Sequence, residues 1–373
     1  MKLMEENPLN ELERRQFFYE LKRCSSWTAW NRILGFFNDW ADIHKRSLQI
    51  ASEKGFESKT SLPESDYVMI LEDLAHCDAG VGRLRRGDKR VFQCGVMGEF
   101  EKAGRRMLSH TIRLLGYVNS GDIGIKFDTT PLWDEFAIAT DKLATAWGEC
   151  GPSILEPSDD RGKPTHKLDI PANDWFRNTR PPIGRFPANL PEVPDPTDNI
   201  LAHTGTYLKC SGIWEPVDVP APPLFSLFRP PPPKGPFPII GAMAYLHGGT
   251  PAPRKVFDYT TRERARGDRV TWRLLWRDDR YEDGTIPEEE KDYKFQEDFV
   301  FPYPDALSPK PAVATPQKTP AFTPLVVRES GQLAPVTGRW LLEHDLHVWV
   351  QIAQGEALPL HEGRKVRWIL AVA

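Results

Sequence analysis

Of the 35 prolines in this chain of 373 residues, only Pro8, Pro63 and Pro131 precede residue 151. The other 32 average one in seven after it. Proline has no N–H to give and its ring clashes with the preceding helical turn. Long helices are therefore confined to the first 150 residues. The rest of the chain must be built from short elements, corners and connectors. With the strand-like aromatic and β-branched stretches that begin after His203, this makes the chain α+β, with a helical N-terminal part and a mostly β C-terminal part.

Within residues 10–150 the apolar spacing is helical. Trp27, Trp30, Ile33, Leu34, Phe37, Trp40, Ala41, His44 and Leu48 recur at intervals of three and four, with Ser25 or Ser26 as N-cap. A preceding helix is predicted over 10–24, and a short one capped by Asp66. Another is predicted over 91–118, where Gly95, Gly98 and Gly104 permit close approach. A last one opens at Thr130-Pro131, a good cap followed by a good first residue. Four or five such helices pack as a bundle. The domain reading is a helical bundle over 1–151, a Pro-rich connector over 152–199 and a first β unit over 200–301. A Pro-rich linker over 302–324 and a smaller second β unit over 325–373 complete it. Trp175, Phe176 and Phe186 should tie the connector to a surface, and residues 229–236 should be polyproline-like.

The β part contains a weak internal repeat. Gly212-Ile-Trp214, Gly248-Gly249 and Val270-Thr-Trp272 recur as Gly338-Arg-Trp340, Gly355 and Val366-Arg-Trp368. Turn Gly to strand Trp spans 23 residues in the first copy (249 to 272) and 13 in the second (355 to 368), so the first carries a hairpin insertion. Strands are expected at 206–208, 270–276 and 347–352. Short strands meeting at Gly and Pro corners suit one or two small, SH3-like barrel units.

Charge excludes several classes. The net charge is −4, shared evenly about residue 150, so no basic half points to nucleic acid. No apolar run reaches a membrane span, and the acidic, polar N-terminus has no signal-peptide core. Five cysteines without a CxxC pair read as reduced, packed thiols of a cytoplasmic protein. No nucleophile elbow, phosphate loop or dinucleotide fingerprint is present, and no cofactor is implied. His344-x-x-His347 lacks the further ligands zinc would need, so no metal site is expected. The basic cluster 83–90 reads as a turn between helices.

The strongest local feature is the segment 278–292. It holds eight acids against Arg280 and Lys291, a net −6. Such a loop steers a basic partner and sets selectivity. The candidate contacts are Asp278, Asp279, Glu282, Asp283, Glu288, Glu289 and Glu290, with Trp276, Arg280 and Tyr281 at the base. Two blander readings stand beside this one: a solvated turn, and internal pairing of Asp278, Asp279 and Arg280 with Arg273 or Arg277. Adjacent Asp278 and Asp279 point to opposite sides of a strand, so they share a catalytic or metal site poorly.

The segments Ser211-Gly-Ile-Trp-Glu-Pro216, Tyr245-Leu-His-Gly-Gly-Thr-Pro-Ala-Pro253 and 270–290, with the closing Gly338-Arg-Trp340 and Val366–Leu370, resemble the immunity proteins of bacterial polymorphic toxin systems. The nearest groups are immunity protein 71 and immunity protein 72. Over the helical part the likeness is one of architecture. Such proteins are usually encoded beside toxins exported by the type VI secretion system. The resemblance implies a partner, a cognate toxin, neutralised by stoichiometric association without turnover. A chaperone or adaptor that loads the effector, and a hydrolase that reverses toxin damage, are the other classes.

Overall fold

The computed structural model describes residues 9–119, 125–159, 162–165, 167–168, 186–195, 200–220, 235–255, 268–296, 327–342, 345–361 and 363–372. The chain forms two units, Met1–Phe301 and Pro302–Ala373.

The first unit opens with five helices: α1 (Glu11–Cys24), α2 (Trp27–Glu53), α3 (Glu64–Leu84), α4 (Glu99–Asn119) and α5 (Trp133–Ile154). Asn10 caps α1 in a capping box, its side chain accepting from Glu13 N while Glu13 accepts from Asn10 N, both at 2.9 Å. Ser26 caps α2 by accepting from Ala29 N. The apolar face of α2 is buried as its spacing predicts, through Trp30, Ile33, Phe37, Trp40, Ala41 and His44. Trp30 stacks on Phe100 at 4.0 Å and meets Trp147 edge-on at 5.2 Å. Helix α4 reaches α5 at Gly104, where a Cβ would lie 2.0 Å from the Trp147 ring.

Three local expectations are corrected. Helix α5 starts at Trp133 after Leu132, which is left-handed (φ 55°); Thr130 instead accepts from Ser61 N. Residues 91–98 are not α-helical, because 3-10 turns at Lys89–Phe92 and Gly95–Met97 precede α4. Asp66 does not cap α3; it lies in the first turn, buried, with Pro63 at the cap position.

The β part of this unit is a four-stranded antiparallel sheet ordered β2-β6-β3-β4. Its strands are β2 (Leu201–His203), β3 (Gly212–Val217), β4 (Ala244–Leu246) and β6 (Thr271–Arg277). Strands β1 (Lys167–Leu168) and β5 (Arg254–Lys255) pair in parallel beside it. Residues 206–208 are turn and bridge rather than strand. One face of the sheet builds its own core around Trp214, Trp272, Leu208 and Leu246. The other sends Ile213, Tyr245 and Leu275 into the helical core, so helices and sheet share one hydrophobic interior. Of the connector, Phe186 meets Tyr19 edge-on at 6.1 Å. Trp175, Phe176, residues 229–234 and the 302–324 segment lie outside the described residues.

The second unit is a four-stranded antiparallel sheet ordered β7-β10-β8-β9. Its strands are β7 (Val327–Glu329), β8 (Gly338–Leu342), β9 (Asp345–Ile352) and β10 (Arg367–Val372). Replacing β2, β3, β4 and β6 by β7, β8, β9 and β10 turns one strand order into the other. The likeness extends to single hydrogen bonds. Thr204 Oγ1 accepts from Val270 N (2.9 Å) and donates to Pro253 O (3.1 Å). Ser330 Oγ accepts from Val366 N (3.0 Å) and donates to Pro359 O (2.7 Å). The Trp272 indole donates to Pro253 O and the Trp368 indole to Pro359 O, both at 2.9 Å. Gly249 N bonds Leu208 O, and Gly355 N bonds Ala334 O, both at 2.8 Å. The turn glycines are left-handed in both copies: Gly205 and Gly331, then Gly249 and Gly355. The unequal spacing also resolves. In each copy an antiparallel bridge precedes the last strand, between Lys255 and Asp268 in the first and between His361 and Arg364 in the second. The extra residues of the first copy fall between 255 and 268 in the sequence.

Candidate partner-binding loop

The acidic segment begins where β6 ends. Asp278 N bonds Ser211 O at 3.0 Å, which turns the chain off the sheet toward the helices. The Asp278 carboxylate is buried and accepts from Arg280 Nε and Nη2 (each 2.8 Å) and from Tyr245 OH (2.9 Å). Lys89 Nζ lies 3.4 Å away. Burial alone would raise this carboxyl; Arg280 and Lys89 overcome it and hold it below the ordinary aspartate value. Burial also pulls the Lys89 ammonium down to about 8, against the opposing pull of Asp278.

The loop then seats on the elbow between α1 and α2. Arg280 Nη1 donates to Lys22 O (2.9 Å) and Nη2 to Ser25 Oγ (2.7 Å), placing a cation at the C-terminal end of α1. Glu290 accepts from Thr28 N (3.2 Å) and Thr28 Oγ1 (2.7 Å), placing an anion at the N-terminal end of α2. Tyr281 OH accepts from Trp27 N at 2.7 Å and donates to Glu290. The first N–H groups of α2, which have no intrahelical partner, are thus met by Tyr281, Glu290 and Ser26. Both charges match the dipole of the helix end they touch. Tyr281 is left-handed (φ 70°), a conformation costly for a non-glycine residue and held by these bonds.

The flanks reinforce the seat. Arg85 donates to Gly284 O at 2.6 Å, Lys89 to Arg280 O at 2.9 Å, and Lys22 pairs with Glu289 at 2.8 Å. Arg83 and Arg90 both hold Asp88. The basic cluster 83–90 is therefore no free turn: two of its cations grip the acidic loop. After the loop, Tyr293 packs edge-on against Tyr19, and Phe295 lies under the Arg32 guanidinium at 4.0 Å.

The ten residues singled out from sequence thus fall into two sets. Asp278, Arg280, Tyr281 and Glu290 are buried fasteners. Trp276 is half-buried, edge-on to Phe18, with Lys22 and Arg280 over its ring. Asp279, Glu282, Asp283, Glu288 and Glu289 are exposed. Asp283 accepts from Thr285 N (2.9 Å), fixing the turn, and Glu288 pairs with Lys291 (2.7 Å). Arg273, one of the internal partners considered for Asp278, instead pairs with the buried Glu215, which also takes Arg14 of α1 at 2.9 Å. Sequence reasoning missed Lys89 and Arg85, and the sign of charge alone could have found them. Among the described residues no group of three His, Cys, Asp or Glu side chains is arranged to hold a metal. His344 lies outside the described residues.

Residues 8–159 match the family model Immunity protein 71, and residues 193–294 match Immunity protein 72. The first stretch carries all five helices and the second ends just after the acidic loop. The loop is therefore one of the places where the second matched stretch takes hold of the first, beside the shared core and the Arg14–Glu215 pair. The repeat, rather than either match, ties residues 327–372 to the rest. Among curated proteins and among solved structures, none matches the chain.

Proposed function

Because this chain belongs to the immunity protein families of polymorphic toxin systems, we propose that it neutralises a cognate toxin by one-to-one association that needs no turnover. The exposed side of the 278–292 loop is the contact we assign. The observation that carries this assignment is the fastening of the loop. Four buried side chains lock its base, so Asp279, Glu282, Asp283, Glu288 and Glu289 are displayed on a fixed backbone. A preorganised surface loses little conformational entropy on binding. Its net negative charge accelerates encounter with a basic toxin surface. The toxin acts in the cytoplasm in this reading and reaches it through a type VI secretion system.

The test uses the toxin domain encoded beside the gene for this chain. Reversing the charge of Asp279, Glu282 and Glu288 leaves every fastener in place and spares Asp283, which holds the turn. Association should slow by about ten-fold or more at low salt, and its salt dependence should flatten. An association rate unchanged across a salt series would remove the loop from the interface.

A further inference from the structure

We propose that the outer face of the second sheet is a docking surface for an amphipathic helix of the toxin, with a carboxylate edge along one side of its apolar ridge. This inference rests on the toxin-binding reading above and adds a second contact to it.

The argument starts from the repeat. In the first copy the outer sheet face is covered by helices. Ile213, Glu215, Tyr245 and Leu275 are all buried there. Phe92 meets Tyr245 edge-on at 5.9 Å, and Arg14 of α1 reaches Glu215. In the second copy the corresponding face carries a different set. The register places Val327 beside Ile369, Ile369 beside Leu341, and Leu341 beside Trp349. These four form one apolar row across all four strands. Within its own unit the row is incompletely covered: Trp349 is 49% exposed, and Val327, Leu341 and Ile369 are half-buried. The inner face is closed, with Trp340, Leu342 and Trp368 fully packed. The row is therefore not the core of this sheet.

Three substitutions between the copies define the occupant. The buried ion pair Glu215–Arg273, which answers Arg14, becomes the apolar pair Leu341–Ile369. A helix bearing Arg14's charge fits the first face; a helix with an apolar ridge fits the second. Ile213 becomes Arg339, which is exposed and lies over the Trp349 ring at 4.1 Å. On the other side of the row Arg367 stands opposite the exposed Glu329 of β7, so the row is edged by the Arg339 cation on one side and by oppositely charged neighbours on the other. The Arg339 cation beside an apolar row complements a helix whose apolar face carries Asp or Glu along that edge. Trp and Arg are also among the residue types enriched where interfaces are anchored.

The experiment uses the full chain and the toxin domain encoded beside its gene. Hydrogen exchange of the complex should show new protection across 338–352. Trp349→Ala should raise Kd about thirty-fold or more. Arg339→Glu should weaken binding in a salt-dependent way. Unchanged exchange protection of β8 and β10 in the free variants establishes that the sheet is folded; should Trp349→Ala unfold it, Arg339→Glu and the wild-type exchange map decide. If the loop charge reversals weaken binding while these changes do not, and 338–352 gains no protection, this inference fails and the toxin-binding reading stands. If the unmodified chain does not bind the toxin, both fail. A concentration-dependent dimer of the free chain, lost with Trp349→Ala, would give the face to a second copy and overturn the proposal.

Discussion

Asp73 shows how a single side chain sets pH behaviour. It is buried on the inner side of α3, and burial pushes its carboxyl up to about 8. An unfolded aspartate titrates near 3.8. Between these values the folded chain holds a proton that the unfolded chain has released, so stability falls as pH rises from about 4 to about 8. Asn at this position cannot titrate. Asp73→Asn should therefore gain on the native chain steadily across that window in denaturant titrations, and parallel pH profiles would contradict the account. His247 acts in the opposite sense. Burial lowers its imidazole to about 4, while the unfolded residue titrates near 6.5. Its contribution is complete above 6.5 and is lost as pH falls from there to about 4. Tyr281 is the third such residue, strained in its backbone and bonded at its hydroxyl. Tyr281→Phe takes the acceptor from Trp27 N and one donor from the buried Glu290, and should cost about 1–3 kcal/mol in chemical denaturation. A change within about 0.5 kcal/mol, the range of an ordinary surface substitution, would show that the hydroxyl is not what holds the turn.

Among elements, the acidic loop and the α1–α2 elbow behave as one piece. Among the described residues, Arg280→Ala leaves the buried Asp278 carboxylate with Lys89 as its one nearby cation. The expected loss is about 3–5 kcal/mol, the range for breaking a buried ion pair from one side. Its signature should reach beyond the loop: amide exchange should quicken at the end of α1 and the start of α2, where Arg280 and Glu290 supply partners. Faster exchange confined to 278–292 would mean that the helix ends do not depend on the loop.

The same elements show what the sequence can reveal. Helix α2 and the Gly, Trp and Pro positions of the repeat are legible because each arises from local periodicity or a fixed corner. The start of α5 is not, because Thr130-Pro131 has good capping chemistry that the chain spends elsewhere: Thr130 bonds Ser61 N, across 69 residues. The split of the acidic loop is hidden for a similar reason. Lys89 meets Arg280 across 191 residues, and no local pattern reports which carboxylates face inward. The adjacent positions Asp278 and Asp279 show how far pattern reasoning goes. Alternation along a strand predicts opposite directions for them, but both stand just past the end of β6, and no pattern tells which of them is buried.

Over the whole molecule, the two matched stretches form one structural unit and the repeat supplies a second. The proline asymmetry separates helices from corners but does not show that the first β sheet shares the helical core. That sharing comes from residues of β3, β4 and β6, Ile213, Tyr245 and Leu275, which look like ordinary strand apolar residues in sequence. The central claim is neutralisation by occupancy, and titrating a fixed amount of active toxin with this chain tests it most directly. Residual toxin activity should fall linearly and reach its floor at one equivalent. Full protection at a small fraction of an equivalent would mean turnover, and would contradict the account.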